Sequence, residues 1–217
     1  MEFAELLAGR RSTRRFDTGR DIPEAVLDAV LAAPLGMPHA GNTYDWRGVV
    51  LRRSERDPAA WPAIHAALLG QGYVDEAAVV VAFAVQPRWW ADRYRANVAE
   101  LVARGLIDPD RQAGLLALVD SGPEATTDLT TGLIGEAMMG VAAAMLAAID
   151  AGLGATVTAC RPAELAAALG LPDDAVLCPW GVLALGWPLE AGGGAPAAAA
   201  PKPALSERYF AGRWGRS

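Results

Sequence analysis

Histidine and cysteine are scarce in this chain, and their scarcity removes several chemistries at once. Only His39, His65, Cys160 and Cys178 occur among 217 residues. No Cys-x-x-Cys and no His-x-x-x-His pair is present, so no metal site is expected. Two lone cysteines make no disulfide framework. No Gly-x-Ser-x-Gly turn exists to present a nucleophilic serine. Long basic runs are missing too: 19 Lys and Arg against 25 Asp and Glu leave a formal charge of −6. That balance argues against nucleic acid or a polybasic membrane contact as the main partner. The N-terminus has no apolar signal core, since Met1 to Leu7 runs straight into Arg10 and Arg11. The longest apolar stretch, Leu133 to Ile149, carries Glu136 and falls short of the about 20 residues of a bilayer span. A buried core helix, no membrane and a cytoplasmic address are the expectations.

What is present suits one folded domain: 53% of residues are hydrophobic and 20% charged. Phe3 to Ala8 reads as a short helix, and a second opens at Ile22-Pro23-Glu24 with Asp21 as its cap and Val26, Leu27, Val30 and Leu31 on one face. Trp46 to Leu51 reads as a strand and Pro58 to Leu69 as a helix. The unbroken apolar run Ala77 to Val85 predicts a strand covered on both faces. Trp89 to Val119 predicts a helical excursion broken at Gly105 to Pro109. Asp128 to Asp150 predicts a central helix, apolar nearly all round, with both faces covered. Ala155 to Cys160 and Val176 to Leu185, interrupted at Pro179, read as strands around a short helix, Pro162 to Leu169. Residues 1–190 form the domain, and 191–217 a linker and C-terminal arm. This order places helices on both faces of a mixed sheet, a three-layer α+β arrangement.

Four segments carry candidate chemistry. Arg10-Arg11-Ser12-Thr13-Arg14 concentrates guanidinium and hydroxyl donors that suit a phosphate; a solvated basic loop is the plain alternative. Ala40-Gly41-Asn42 brings an amide to a cleft edge, or is an ordinary turn. Gly152-Leu153-Gly154 precedes the strand ending in Thr158, Ala159 and Cys160, or is a helix cap. Lys202 stands in the arm. Trp89, Trp90 and Tyr94 open the excursion either as a lid that stacks on an aromatic substrate or as core aromatics. His39 has the chemistry of a proton donor near neutral pH, against a role in the loop or an interface.

In this order the segments resemble the nitroreductase family. The family's R-x-S-x-R/K-x-F opening is matched by Arg10, Ser12, Arg14 and Phe16. Its Pro-Ser-x-x-Asn loop ending in Trp is matched by Pro38, Asn42 and Trp46, with His39 at the usual serine. Ala168-Leu169-Gly170-Leu171-Pro172 and Leu183-Ala184-Leu185-Gly186-Trp187-Pro188 match two later motifs. The resemblance implies a three-layer α-β-α fold with a central buried helix in an intertwined homodimer. It implies FMN as cofactor and NAD(P)H as reductant, with hydride passed to a small nitroaromatic or quinone. Arg10, Arg11, Ser12, Arg14 and Lys202 would hold the FMN phosphate. Asn42 would bind the flavin ring, Pro38, His39 and Ala40 would reach the partner's cofactor, and Thr158, Ala159 and Cys160 would line the other edge. Tyr44-Asp45 stands where the family has Gln-Pro, Ala204 takes the place of a second tail cation, and no basic residue lies between Leu69 and Val74. Two other functions stay open: an FMN-dependent oxidase of a natural-product intermediate such as an azoline or cyclic dipeptide, and a non-catalytic flavin-binding protein.

Overall fold

The apolar run in the middle of the chain becomes β2, Val79–Val85, buried at every position. Its side chains alternate between two cores. Val79, Val81, Phe83 and Val85 enter one, while Val80, Ala82 and Ala84 enter the other. A strand with no solvent face has no polar alternation to show, which is why the run is continuous. The computed structural model describes residues 2–120, 123–189, 204 and 207–209.

Four strands form the sheet in the order β1-β2-β4-β3, where β1 is Trp46–Arg52, β3 Gly154–Thr158 and β4 Val176–Gly186. Every pairing is antiparallel. The mixed sheet expected from sequence is therefore corrected for the described strands: two-sided burial sets which residues are apolar, not which way neighbours run. The expected interruption at Pro179 is real. Ala82 pairs Val182 but Ala84 pairs Leu177, leaving 178–181 bulged opposite Phe83, because proline has no N–H for the ladder.

One layer holds α2 (Glu24–Ala32), α5 (Pro87–Ala103) and α7 (Pro123–Asp150). Leu27, Val30, Trp90, Tyr94, Val98, Leu133, Ala137, Val141, Ala144 and Ala148 pack from it onto the sheet. The opposite layer holds α3 (Trp61–Ala67), α4 (Tyr73–Glu76) and α8 (Pro162–Ala168), which bury Ile64, Ala67, Val74 and Leu165. The remaining helices are α1 (Phe3–Gly9) and α6 (Pro109–Asp120). The three-layer expectation holds. Asp21 does not cap α2; Pro23 stands at the N-cap, while the Asp21 carboxylate pairs Arg53 at 3.1 Å and its carbonyl accepts the Trp187 indole N–H at 3.1 Å. Two tertiary contacts outcompete one local cap.

From Leu129 onward, helix α7 is buried within this chain on one side only. Its Leu129–Asp150 part is long and apolar enough to cross a membrane by length and composition alone, yet its Leu133-to-Ala148 row lies against the sheet while Met139 stays exposed. Both faces were expected to be covered; within this chain one is. The arm at 191–203, with Lys202, lies outside the described residues, as do Phe210 and Trp214; Arg208 and Tyr209 are exposed.

Candidate functional site

Two groups of candidate residues gather at opposite edges of the sheet. The basic loop lies along edge strand β3, where the Thr13 N–H donates to the Ala155 carbonyl at 3.1 Å. Thr13 fits there because Gly154 has no side chain: a Cβ on it would sit 2.5 Å from Thr13 Cγ2. The arginines of the loop then divide. Arg15 pairs Glu76 at 3.0 Å, and the same carboxylate accepts the Phe16 N–H at 2.9 Å. Arg11 turns back to donate to the Ala8 and Arg10 carbonyls at the end of α1. Arg10, half-buried, and Arg14, exposed, have guanidinium groups with no ion pair or hydrogen bond among the described residues. Ser12 is exposed beside them.

Thr158, at the end of the same strand, is buried. Its hydroxyl accepts a hydrogen bond from the Gln71 amide and donates to the Ala159 carbonyl at 3.2 Å, and the Tyr73 hydroxyl donates to the Gln71 amide oxygen. Gln71 is the residue that sequence reasoning passed over. The stretch between Leu69 and Val74 holds no basic residue, and a neutral amide stands there instead. Ala159 and Cys160 are half-buried, and burial raises the Cys160 thiol above its ordinary range. Such a thiol is a poor nucleophile.

The second group precedes β1 at the far edge. Gly41 takes φ +63° and a Cβ there would lie 2.3 Å from the Tyr94 ring, so only glycine fits. Asn97 of α5 donates to the Gly41 and Asn42 carbonyls at 2.7 and 3.1 Å. The Asn42 side chain is exposed and makes no hydrogen bond among the described residues. Pro38 is exposed; the Ala40 N–H donates to Glu136 on α7 at 3.1 Å. Trp90 and Tyr94 stack on each other with centroids 4.7 Å apart and are buried in the core. Of the two readings open for them, lid or core, their burial within this chain supports the core. Trp89 is half-buried under the Arg47 guanidinium at 4.2 Å.

Behind this loop His39, Asp45 and Glu136 converge. Trp46 Nε1 donates to His39 Nε2 at 3.2 Å, and His39 Nδ1 faces Glu136 at 3.6 Å. Asp45 is fully buried and neither carboxylate oxygen has a hydrogen-bond partner. Burial first, and the Glu136 charge further, push its pKa up from 3.8 to about 6.

A sequence model of the nitroreductase family matches residues 7–187. The chain belongs to that family. It is 32% identical over 188 residues to a protein of Thermus thermophilus named NADH dehydrogenase, covering 84% of this chain and 85% of that one. In fold it is similar to ydfN of Bacillus subtilis, with a TM-score of 0.78 at 17% identity over 97% of this chain and 99% of that one. It is also similar to an Exiguobacterium sibiricum protein crystallised with FMN, with a TM-score of 0.71 at 19% identity over 93% and 94% of the two chains. The nitroreductase fold and an oxidoreductase assignment rest on these likenesses and on the three layers described above.

Proposed function

We propose that this nitroreductase-family protein is an FMN-dependent oxidoreductase that moves hydride from NAD(P)H to a small aromatic acceptor, a nitroaromatic or a quinone. The observation that carries the reading is the pair of unpartnered guanidinium groups, Arg10 and Arg14, held beside an edge strand in a loop whose other arginines are already engaged. Two desolvatable cations and the Ser12 hydroxyl fit a phosphate monoester, whose oxygens take paired donors. Arg11 acts on the loop itself by fastening it to α1. Lys202 adds a cation from the arm.

When bound, the flavin supplies the hydride relay, a chemistry that no side chain of this site offers. The Gln71 amide, oriented by Thr158 and Tyr73, and the backbone of Thr158, Ala159 and Cys160 would hold one edge of its ring. Asn42 would offer its amide to the ring, with Pro38, His39 and Ala40 beside it. These two sets stand on β3 and before β1, three strand spacings or about 14 Å apart across the sheet. In this reading one ring takes its phosphate loop from one protomer and its Asn42 loop from the partner. The open side of α7 supplies apolar surface for such a homodimer.

Complementation tests both parts. The purified protein should be a yellow dimer that NADPH bleaches without oxygen and a quinone reoxidises. Arg10→Glu with Arg14→Glu should abolish flavin retention in a folded dimer, and Asn42→Ala should weaken it. Mixed dimers of the two variants regain one intact site, hence about half the wild-type occupancy. No recovery means that each site is built within one protomer, and full occupancy of the arginine variant removes the phosphate assignment.

A further inference from the structure

The His39–Asp45–Glu136 cluster plays no part in holding the flavin phosphate, and its chemistry points elsewhere. One ligand-type atom from each residue lies within 4.8 Å of the others, the sole such group of three among the described residues. The cluster is built from distant pieces: His39 and Asp45 flank the left-handed turn before β1, and Glu136 comes from α7. The His39 side chain and the whole of Asp45 are closed to solvent, whereas Glu136 keeps a fifth of its side chain exposed. His39 Nδ1 and both Asp45 oxygens are buried with no hydrogen-bond partner. Two carboxylates thus face each other with no cation between them. Arg47, the nearest basic residue in sequence, is engaged elsewhere: it donates to the Tyr44 and Trp46 carbonyls and lies over Trp89. A buried carboxylate without a partner, as Asp45 is, calls for a cation or a proton beside it.

The geometry points to a binding site for a divalent transition-metal cation, one per chain, ligated by His39 Nδ1, Asp45 and Glu136. One imidazole and two carboxylates form a donor set of borderline hardness, suited to Zn²⁺, Co²⁺ or Mn²⁺. The spacing agrees. Ligands bonded at about 2.0–2.1 Å in a tetrahedral site stand about 3.4 Å apart, and His39 Nδ1 lies 3.6 Å from Glu136, longer than a hydrogen bond. The Ala40 N–H already fixes the Glu136 carboxylate, as outer-sphere donors do around metal ligands. The partly exposed side of Glu136 gives the ion a path in and leaves the fourth position to water. Ligation through Nδ1 moves the imidazole proton to Nε2, which now accepts from Trp46 Nε1. Binding therefore breaks that hydrogen bond, since two N–H donors cannot share it, and the Trp46 indole must shift and reports the event.

The test uses the full-length protein as purified, treated with EDTA and freed of it, then titrated with ZnCl₂ or CoCl₂ alone. Calorimetry should show one saturable equivalent per chain. Co²⁺ should give a visible band of tetrahedral intensity, and tryptophan fluorescence should change with the same stoichiometry. Asp45→Asn and Glu136→Gln keep the shape of the side chain and should each weaken binding at least about tenfold. His65→Ala, which removes the other histidine, should bind as the wild type does. Absence of a saturable equivalent in the wild type overturns the proposal, leaving a shared proton as the occupant of the cluster. Unchanged affinity in both carboxamide variants overturns it equally.

Discussion

Gly154→Ala is the smallest change that sets the fold against the basic loop. The new methyl would lie 2.5 Å from Thr13 Cγ2, 2.7 Å from Oγ1 and 2.8 Å from Cβ. Ordinary contacts between such atoms fall near 3.5–4.0 Å, so the overlap is about 1 Å on three atoms at once. Rotating Thr13 cannot relieve it, because its Cβ is fixed to the backbone. The loop must move instead, and with it the Thr13 N–H that donates to Ala155. Overpacking of this kind costs about 1–3 kcal/mol, and the hydrogen bond adds about 1 kcal/mol. The expected loss is about 2–4 kcal/mol in urea unfolding followed by circular dichroism, together with weaker flavin retention. Rescue should be graded. Thr13→Ala leaves the Cβ contact and restores part of the stability; Thr13→Gly removes all three atoms and restores most of it, less about 0.5–1 kcal/mol of backbone entropy. Wild-type stability in Gly154→Ala, or no coupling in the double-mutant cycle, would refute the packing of this loop on β3.

Three further outcomes are expected. Arg56 donates to the carbonyls of Val74, Asp75 and Ala77 and lies over Trp61; Arg56→Ala should cost about 2–4 kcal/mol by leaving those acceptors unpaired, and Arg56→Lys should recover only a fraction in the same unfolding assay. Asp45 has its acid form favoured in the fold, with a pKa raised from 3.8 to about 6; in chelator-treated protein its contribution is therefore fullest below pH 4 and is lost as pH rises through 6. At about 1.4 kcal/mol per unit, Asp45→Asn should gain roughly 2–3 kcal/mol at pH 8 and almost nothing at pH 4, and a pH-independent gap in chemical denaturation would contradict this. Cys178 is buried and its thiol is pushed up to about 12, so a thiol reagent at pH 8 should label Cys160 slowly and Cys178 only after unfolding.

Contiguous signals were legible in the sequence, and dispersed ones were not. The basic loop could be read because its cations are neighbours, and β2 because two-sided burial writes itself as nine apolar residues in a row from Ala77 to Val85. The same run carries no information on strand direction, which is where the mixed sheet went wrong. Asp21 has the right chemistry for a cap, but Arg53 and Trp187, both remote in sequence, claim it. Gln71 was passed over because its role depends on Thr158 and Tyr73, not on charge. Trp90 and Tyr94 suit a core and a lid equally until their neighbours are known. The meeting of His39 and Asp45 with Glu136, some ninety residues on, has no counterpart in any local pattern.

A helix that carries none of the family motifs bears on a loop that carries one. Helix α5 lies outside the motifs matched above, yet its Asn97 holds the Gly41 and Asn42 carbonyls and its Tyr94 fills the space where Gly41 would carry a side chain. Asn42 sits at φ +55° and Tyr44 at φ +49°, conformations that cost energy for residues other than glycine. The clamp from α5 holds the turn at Gly41 and Asn42, with the Asn42 side chain exposed and Asp45 buried beyond it. Substitutions on α5 that never touch a ligand should therefore shift cofactor retention through Asn42 and cation binding through Asp45 together. A helix added to cover a substrate would leave both untouched; a helix that shapes the loop cannot.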